Sequence, residues 1–201
     1  MQTGQVLTRD VLNNSVFLQR ERLRQEAEEL YLNFQYQDAK QRSLQLLEVA
    51  QHPPDTYFQA QALMIAGTSQ ESLGEYRESL YSFEQMLALL QDPQHEKSQQ
   101  GWAYNGIGLA HKGLGQFTKA IENFKKYLDI ATHLNDKSGQ GLAYGNLGAC
   151  YEKMGQYKSA IECHEHDHRI AVQLDDIPGQ GAACCNLGNV HFDLGDFGAA
   201  I

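Results

Sequence analysis

The stretch Gly115-Gln-Phe-Thr-Lys-Ala-Ile121 returns as Gly155-Gln-Tyr-Lys-Ser-Ala-Ile161 and as Gly195-Asp-Phe-Gly-Ala-Ala-Ile201, each time 40 residues later. A related string, Gly74-Glu-Tyr-Arg-Glu-Ser-Leu80, precedes the first of these by 41 residues, and a degenerate copy begins at Phe34. Self-similarity at a period of roughly 20–50 residues is typical of stacked repeats. Five units therefore account for nearly all of the 201 residues.

Each unit contains two helical patterns. In the second half of the third unit, apolar residues recur at steps of three and four, which predicts one buried face of a helix. These residues are Phe117, Ala120, Ile121, Phe124, Tyr127, Leu128, Ala131 and Leu134. The first half has a stripe of its own, which two later units repeat. It comprises Tyr104, Ile107, Gly108, His111 and Leu114, then Tyr144, Leu147, Gly148, Tyr151 and Met154, then Cys184, Leu187, Gly188, His191 and Leu194.

Turn-forming residues separate these helices. A glycine follows the first helix of four units, where a left-handed backbone can end the helix without steric cost. These glycines are Gly74, Gly115, Gly155 and Gly195. Between units, Asn135-Asp136, Asp175-Asp176 and Asp92-Pro93 are typical of helix N-termini. The sequence therefore predicts antiparallel helix pairs, and the small Gly108 and Gly148 allow the two helices of a pair to approach closely.

The pattern resembles the tetratricopeptide repeat (TPR). The family pattern is a large residue, Leu-Gly three positions later, an aromatic residue, a turn glycine, and then an aromatic residue and alanine in the second helix. Leu147-Gly148 and Leu187-Gly188 match its Leu-Gly pair. The 40-residue spacing and the strings 143–148 and 184–188 are similar to the LGN/Pins-type subclass and to the large animal multi-TPR scaffolds. The first unit departs from the pattern, because it has Glu26-Ala27 in place of Leu-Gly and Phe34 in place of the turn glycine.

The resemblance implies an all-α, right-handed superhelical solenoid of about four and a half repeats, with the first helices on its concave side. The predicted divisions are a flexible lead-in at 1–10, with a helix from about Val11, a degenerate first repeat at 11–54, repeats at 55–94, 95–134 and 135–174, and a truncated repeat at 175–201. An uncapped end exposes apolar surface. We therefore expect Leu187, Val190 and Leu194 to be exposed, and the chain to be a fragment of a longer protein.

Composition narrows the function. Sixteen basic and 25 acidic residues give a formal charge of −9, which disfavours a nucleic acid partner. No apolar run is long enough to span a membrane, so the chain is predicted to be cytoplasmic. The four cysteines favour buried thiols over a disulfide framework. We expect Cys184, which occupies an aromatic position of its repeat, to be a small buried residue.

One motif suggests metal chemistry. His164-Glu165-His166-Asp167-His168 matches the H-E-x-x-H pattern of zinc peptidases. In the repeat register, however, His164 and His168 replace Phe124 and Leu128, which are packing residues, and no third ligand has the required spacing. We therefore predict partly buried, neutral histidines, and keep weak zinc binding as a remote alternative. The acidic neighbours of these histidines suggest a raised proton affinity and a pH-sensitive contact. No cofactor or catalytic triad is predicted.

A concave groove is suited to an extended peptide. By resemblance, it is lined by first-helix residues outside the packing stripe: Arg24, Glu28, Tyr31, Met64, Thr68, Glu71, Trp102, Asn105, Leu109, Lys112, Leu142, Asn146, Ala149, Glu152, Lys153, Cys185, Asn186, Asn189 and Phe192. The predicted peptide-binding residues among them are Trp102, Asn105, Lys112, Asn146, Lys153, Asn186 and Asn189. An amide both donates and accepts hydrogen bonds, so these asparagines can hold a peptide backbone or, alternatively, bridge neighbouring helices. Trp102 is either a ligand anchor or a cover for the preceding repeat.

We therefore expect a non-enzymatic scaffold that binds a partner protein through an extended segment, in the manner of a signalling adaptor. The alternative is a structural spacer that self-associates through its open C-terminal end.

Overall fold

The computed structural model describes residues 9–91 and 97–195, with side chains from Asn14 onward, and in these ranges the regular structure is helical. The helices are α1 (Arg9–Leu32), α2 (Tyr36–Ala50), α3 (Thr56–Ser72), α4 (Tyr76–Leu89), α5 (Lys97–Gly113), α6 (Phe117–His133), α7 (Lys137–Lys153), α8 (Tyr157–Gln173) and α9 (Ile177–Asp193). α1 begins at Arg9, two residues before the predicted start, while the rest of the predicted lead-in and residues 196–201 lie outside the described ranges.

The helices stack in chain order. Each helix packs on the next, and the first helices of neighbouring pairs also touch, α1 with α3, α3 with α5, α5 with α7 and α7 with α9. Within the described ranges, the second helices α2, α4, α6 and α8 make no such contacts with one another. The first helices are therefore closer together than the second helices, which places them on the inner side of a curved all-α repeat solenoid.

The turns within the pairs follow the predicted chemistry. Gly74, Gly115, Gly155 and Gly195 have φ between 70° and 76°. Phe34 takes the same place in the first pair with φ 61°, so this repeat keeps the turn geometry without glycine. A left-handed conformation is unfavourable for a bulky side chain, so the surrounding helix pair holds the first turn.

The turns between pairs use aspartate caps. Asp136 accepts a hydrogen bond from the backbone N–H of Gly139 at 2.9 Å, and Asp176 accepts one from Gly179 at 3.1 Å, as the sequence predicted. Asp55 does the same for α3. Asn135 and Asp175, by contrast, end the preceding helices in left-handed conformation, each with φ 53°. The predicted cap at Asp92-Pro93 lies outside the described residues.

A glutamine joins consecutive pairs, which the sequence analysis missed. In the first turns of α3, α5, α7 and α9, its side-chain amide donates to a backbone carbonyl at the end of the preceding helix. The four residues are Gln59, Gln100, Gln140 and Gln180. The carbonyls of Ala50, Ala131 and Ala171 also accept a backbone N–H from the turn that follows, so the glutamine adds a second hydrogen bond that joins consecutive pairs. Their spacing of about 40 residues was a signal available in the sequence.

Aromatic rings pack against glycines where the helices cross. A Cβ atom on Gly108 would lie 2.6 Å from the Phe124 ring, and one on Gly67 would lie 2.7 Å from Phe83. Phe83 also faces the next pair, where a Cβ on Gly106 would lie 2.5 Å from it. One buried ring of α4 thus packs between α3 and α5, and the small positions set the spacing of the stack.

Candidate peptide-binding groove

The predicted groove positions of three repeats meet in one pocket, which we call the apolar pocket. Its volume is about 460 Å³, and it lies where α1, α3 and α5 adjoin on the inner side of the stack. Seven predicted groove residues line it: Glu28, Tyr31, Met64, Thr68, Trp102, Asn105 and Leu109. Phe83 of α4 also contributes to its wall. Residues that are distant in sequence therefore come together as the repeat register predicted.

Trp102 lies beside the preceding repeat and is also open to the apolar pocket. Its ring packs against Tyr127 of α6, with 5.8 Å between ring centroids, and 46% of its surface remains exposed. It also lines the apolar pocket beside residues of the preceding repeat, such as Met64 and Ile65. The structure thus provides an aromatic side chain that is fixed on one side and open on the other, an arrangement that suits a ligand anchor.

The asparagines form a hydrogen-bonded chain across two repeats. Lys112 Nζ donates to Asn146 Oδ1 at 3.0 Å, and Asn146 Nδ2 donates to Asn105 Oδ1 at 3.4 Å. Asn105 is buried, with 6% of its surface exposed. These contacts match the bridging alternative, because both asparagines join α5 to α7. Asn105 Nδ2 has no acceptor among the described residues, and it belongs to a side chain that lines the apolar pocket.

A second pocket, of about 470 Å³, lies between α7, α8 and α9, and we call it the Asp167 pocket. Its wall includes the predicted groove residues Leu142, Asn146, Ala149 and Asn186, together with Gly141, Gly145, Asp167 and Asp176. Burial raises the pKa of the Asp167 carboxyl to about 6, the Asp176 carboxylate adds to this effect, and His168 opposes it. This pocket is the polar counterpart of the apolar pocket at the other end of the stack.

The remaining predicted site residues lie outside both pockets. Lys153 pairs with Glu152 at 2.9 Å, and this hydrogen bond raises the pKa of the lysine. Lys112 contacts the Asp167 pocket only through Asn146. Asn189 is exposed on α9. The structure therefore brings Trp102 and Asn105 together in one pocket and Asn146 and Asn186 together in the other.

The H-E-x-x-H string does not build a metal site in this structure. His164 is fully buried, and a Cβ atom on Gly148 would lie 2.5 Å from its ring, so it occupies the packing position of Phe124. In residues 9–91 and 97–195, no three His, Cys, Asp or Glu side chains are placed to hold a metal ion. Both ring nitrogens of His164 lack hydrogen bonds.

The predicted rise in the proton affinity of His164 is wrong. Desolvation lowers the pKa of this residue, and the charge of Glu152 opposes the effect only in part. A buried imidazole without hydrogen-bond partners favours its neutral form. His164 is therefore a neutral packing residue in a place that suits a phenyl ring better.

Two expectations about α9 are also wrong. Cys184 and Cys185 are exposed rather than buried, and Val190 is fully buried rather than exposed. The aromatic residues equivalent to Cys184 are covered from the second helix of their own pair: Tyr104 by Lys126 at 5.1 Å and Tyr144 by His166 at 4.6 Å. α9 is the last helix described, so no described helix covers Cys184. Leu194 is exposed as expected, and Leu187 is half-buried.

None of the described helices combines the length and the apolar character needed to cross a membrane.

Family models named tetratricopeptide repeat match residues 103–133 and 139–201. These models describe a repeat rather than a catalytic family. No match was found among the curated protein sequences.

Solved structures share the fold at low identity. BtubC (BKLC) from P. vanneervenii is 20% identical over 87% of this chain and 72% of its own, with a TM-score of 0.76. A Podosopora anserina putative kinesin light chain with nearly identical TPR-like repeats is 16% identical over 90% of this chain and 89% of its own, with a TM-score of 0.73.

A Rap protein complexed with competence and sporulation factor is 16% identical over 90% of this chain, with a TM-score of 0.72, and the match spans 60% of that protein. Together with the repeat models, these likenesses show that the chain carries tetratricopeptide repeats, stacked as a TPR-like solenoid.

Proposed function

We propose that this chain is a non-enzymatic scaffold that binds an extended segment of a partner protein along the inner side of the solenoid. The observation that carries the proposal is the apolar pocket, because its wall collects inner-side residues of three successive repeats around the half-exposed Trp102. A pocket shared by several repeats suits a ligand that runs across them. TPR proteins commonly mediate protein–protein interactions, and the Rap structure shows one such fold in a complex.

Polar side chains on the inner side also favour a peptide as the ligand. Asn105 presents an amide nitrogen without an acceptor in the described chain, and Asn186 is half-buried at the Asp167 pocket. Such amides can bond to the backbone of a ligand whatever its sequence. Lys112 and Asn146 position the Asn105 side chain rather than offering all their atoms to a ligand. The LGN/Pins-type subclass, the cytoplasmic location and the adaptor role rest on the sequence pattern alone.

A random peptide library displayed on phage tests the proposal. Peptides selected on the whole chain would be synthesised with a fluorescein label, and their affinities measured by fluorescence anisotropy. We expect W102A to weaken binding by about 30-fold, since buried aromatic anchors contribute about 2 kcal/mol or more. The control is Y81A, because Tyr81 is an aromatic residue of α4 that is 64% exposed and lines neither pocket.

Circular dichroism would establish that both variants fold. Failure to select any peptide, or equal losses in W102A and Y81A, would contradict the proposed groove.

Self-association is a second candidate, and α9 is the observation that favours it. Ile177, its first residue, and Leu194, which follows its last residue, are 70% and 49% exposed. If this surface joins two copies, sedimentation velocity should show oligomers that increase with concentration and disappear in I177E/L194E. A monomer at all concentrations would leave the peptide-binding scaffold as the only candidate.

A further inference from the structure

The Asp167 pocket exists because one position of the repeat carries an unusual residue. Asp167 of α8 stands where α6 has Tyr127 and α4 has Met86. Those two side chains are buried, with 3% and 1% of their surfaces exposed, and they fill the space beside the next first helix. The shorter aspartate is half-buried and leaves a cavity there. A carboxylate thus stands in the fourth pair where the two preceding pairs have a large, buried side chain.

The carboxylate oxygens of Asp167 lie close to the backbone of α7, on the opposite wall of the pocket. A Cβ atom on Gly145 would lie 3.0 Å from one carboxylate oxygen, and one on Gly141 would lie 3.3 Å from the other. The two glycines therefore make room for the carboxylate without supplying a counter-charge.

Asp167 forms no ion pair or hydrogen bond within the described chain. Three lysines of α5 and α7 are engaged elsewhere, since Lys112 donates to Asn146, Lys137 donates to Gln140 and Lys153 pairs with Glu152. Asp176, the other acid at the pocket, caps α9 through the backbone N–H of Gly179. A partly buried carboxylate without a hydrogen-bond partner is costly, and a cation that enters the cavity relieves this cost.

We infer that the Asp167 pocket receives a lysine or arginine side chain of the bound peptide. The inference rests on the proposed function, because it names the chemistry of the segment that lies in the groove. Asn186, whose side chain lines the same cavity, is available to accept a hydrogen bond from an ammonium or guanidinium group through its amide oxygen or to hold the adjacent peptide backbone, whereas the Asn146 oxygen already accepts from Lys112. Burial also raises the pKa of Asp167, as expected for a carboxyl group that lacks a counter-ion.

The distance between the two pockets constrains the peptide further. The apolar pocket is centred on α3 and α5, and the Asp167 pocket on α7 and α9, which is a displacement of two repeats. With neighbouring helices about 10 Å apart, the pockets are roughly 20 Å apart along the groove. An extended chain covers about 3.3 Å per residue, so a basic residue should lie about six positions from the apolar anchor.

The peptide selection described above provides the test when it is repeated on D167N. Peptides selected on the unmodified chain should combine an apolar residue with a lysine or arginine about six positions away. D167N keeps the shape of the side chain and removes its charge, so it should bind these peptides about tenfold more weakly. Replacing the basic residue of the peptide by norleucine should cause a similar loss with the unmodified chain and almost none with D167N.

Two further variants control for charge and shape. E165Q removes one negative charge from an exposed position of the same helix, outside the Asp167 pocket, and should change the affinity less than twofold. D167Y restores the residue of the α6 register and should abolish the preference for a basic residue by filling the cavity, while binding at the apolar pocket persists. Equal losses in D167N and E165Q would overturn the inference, because they would show a general effect of net charge.

The failure of this inference is distinguishable from that of the proposed function. Selected peptides that depend on Trp102 but carry no basic residue at the expected spacing would overturn the inference and leave the peptide-binding groove intact. A selection that yields no peptide would overturn both.

Discussion

α6 and α8 share one backbone register but differ in the side chains that fill it. α6 places Phe124 and Tyr127 against its neighbours, whereas α8 places His164 and Asp167 at the same positions. Both helices have 17 residues, and each packs on the helix before it and the helix after it. The repeat geometry therefore tolerates polar residues at its filling positions, and the glycine and alanine positions set the spacing.

We expect the α5–α6 and α7–α8 pairs to differ in their contribution to stability and in the shape of the inner surface. The α6 side chains are buried and mostly apolar, apart from the Tyr127 hydroxyl, which has no hydrogen-bond partner in the described chain, so we expect this pair to contribute more to stability. In α8 one polar group is buried without hydrogen bonds and a second one opens a cavity. We therefore expect the α5–α6 pair to be the stable part of the stack and the α7–α8 pair to carry the polar recognition chemistry.

The largest expected effect comes from truncating the two equivalent side chains. F124A should reduce the free energy of unfolding by about 3–5 kcal/mol, because it removes a fully buried ring and leaves a cavity. H164A should cost less than half as much, because the loss of packing is offset by removal of two buried nitrogens without partners. Urea denaturation followed by circular dichroism measures both. Similar losses would show that the two positions are energetically alike.

A smaller effect is expected from adding one methyl group to the small position of α7. G148A places its Cβ atom 2.5 Å from the His164 ring and should destabilise the fold by about 1–3 kcal/mol. The control is G181A on α9, where no atom lies within 4 Å of the added Cβ. Because alanine has a higher helix propensity than glycine, G181A should stabilise the fold by about 0.5–1 kcal/mol. Thermal melts would reveal the opposite signs, and a stabilising G148A would contradict the close crossing.

The smallest effect concerns the pH dependence of stability. The folded chain holds His164 neutral, with a pKa below its ordinary value of 6.5, so below pH 6.5 the unfolded chain binds a proton more readily. Stability should therefore fall as the pH is lowered through 6.5, by at most about 1.4 kcal/mol per pH unit. H164F should remove this loss and raise stability at neutral pH.

The comparison must be made against the unmodified chain at each pH. Asp167, with its pKa near 6, gives the opposite trend, because its ionisation disfavours the folded state as the pH rises. Glu152 is the other charged group that acts on His164. Identical pH profiles for H164F and the unmodified chain, from denaturation at pH 5, 6 and 7, would show that His164 is readily protonated in the fold.

The helix pairs could be predicted from sequence because their signals are local. The positions of Gly115 and Gly155 mark the ends of first helices, and Asp136 and Asp176 mark the starts of others. The inner-side residues of α1, α3 and α5 could also be predicted, because a regular stack carries the register from one repeat to the next.

Other features of the candidate site depend on contacts between helices, which the repeat pattern does not specify. The burial of Asn105 and its bond to Asn146 come from two helices crossing, and neither residue type indicates it. The exposure of Cys184 depends on which helix covers it. Asp167 was placed only within the H-E-x-x-H string, although its position in the register of Tyr127 was available in the sequence and pointed to a cavity.

Phe83 belongs both to the packing of the repeats and to the proposed binding groove. Its ring is seated between glycines of two successive repeats and also forms part of the wall of the apolar pocket. Under the proposed function, an apolar group of the ligand would therefore contact the same ring that packs α3 against α5. We expect binding at this position to alter the packing angle between these two repeats.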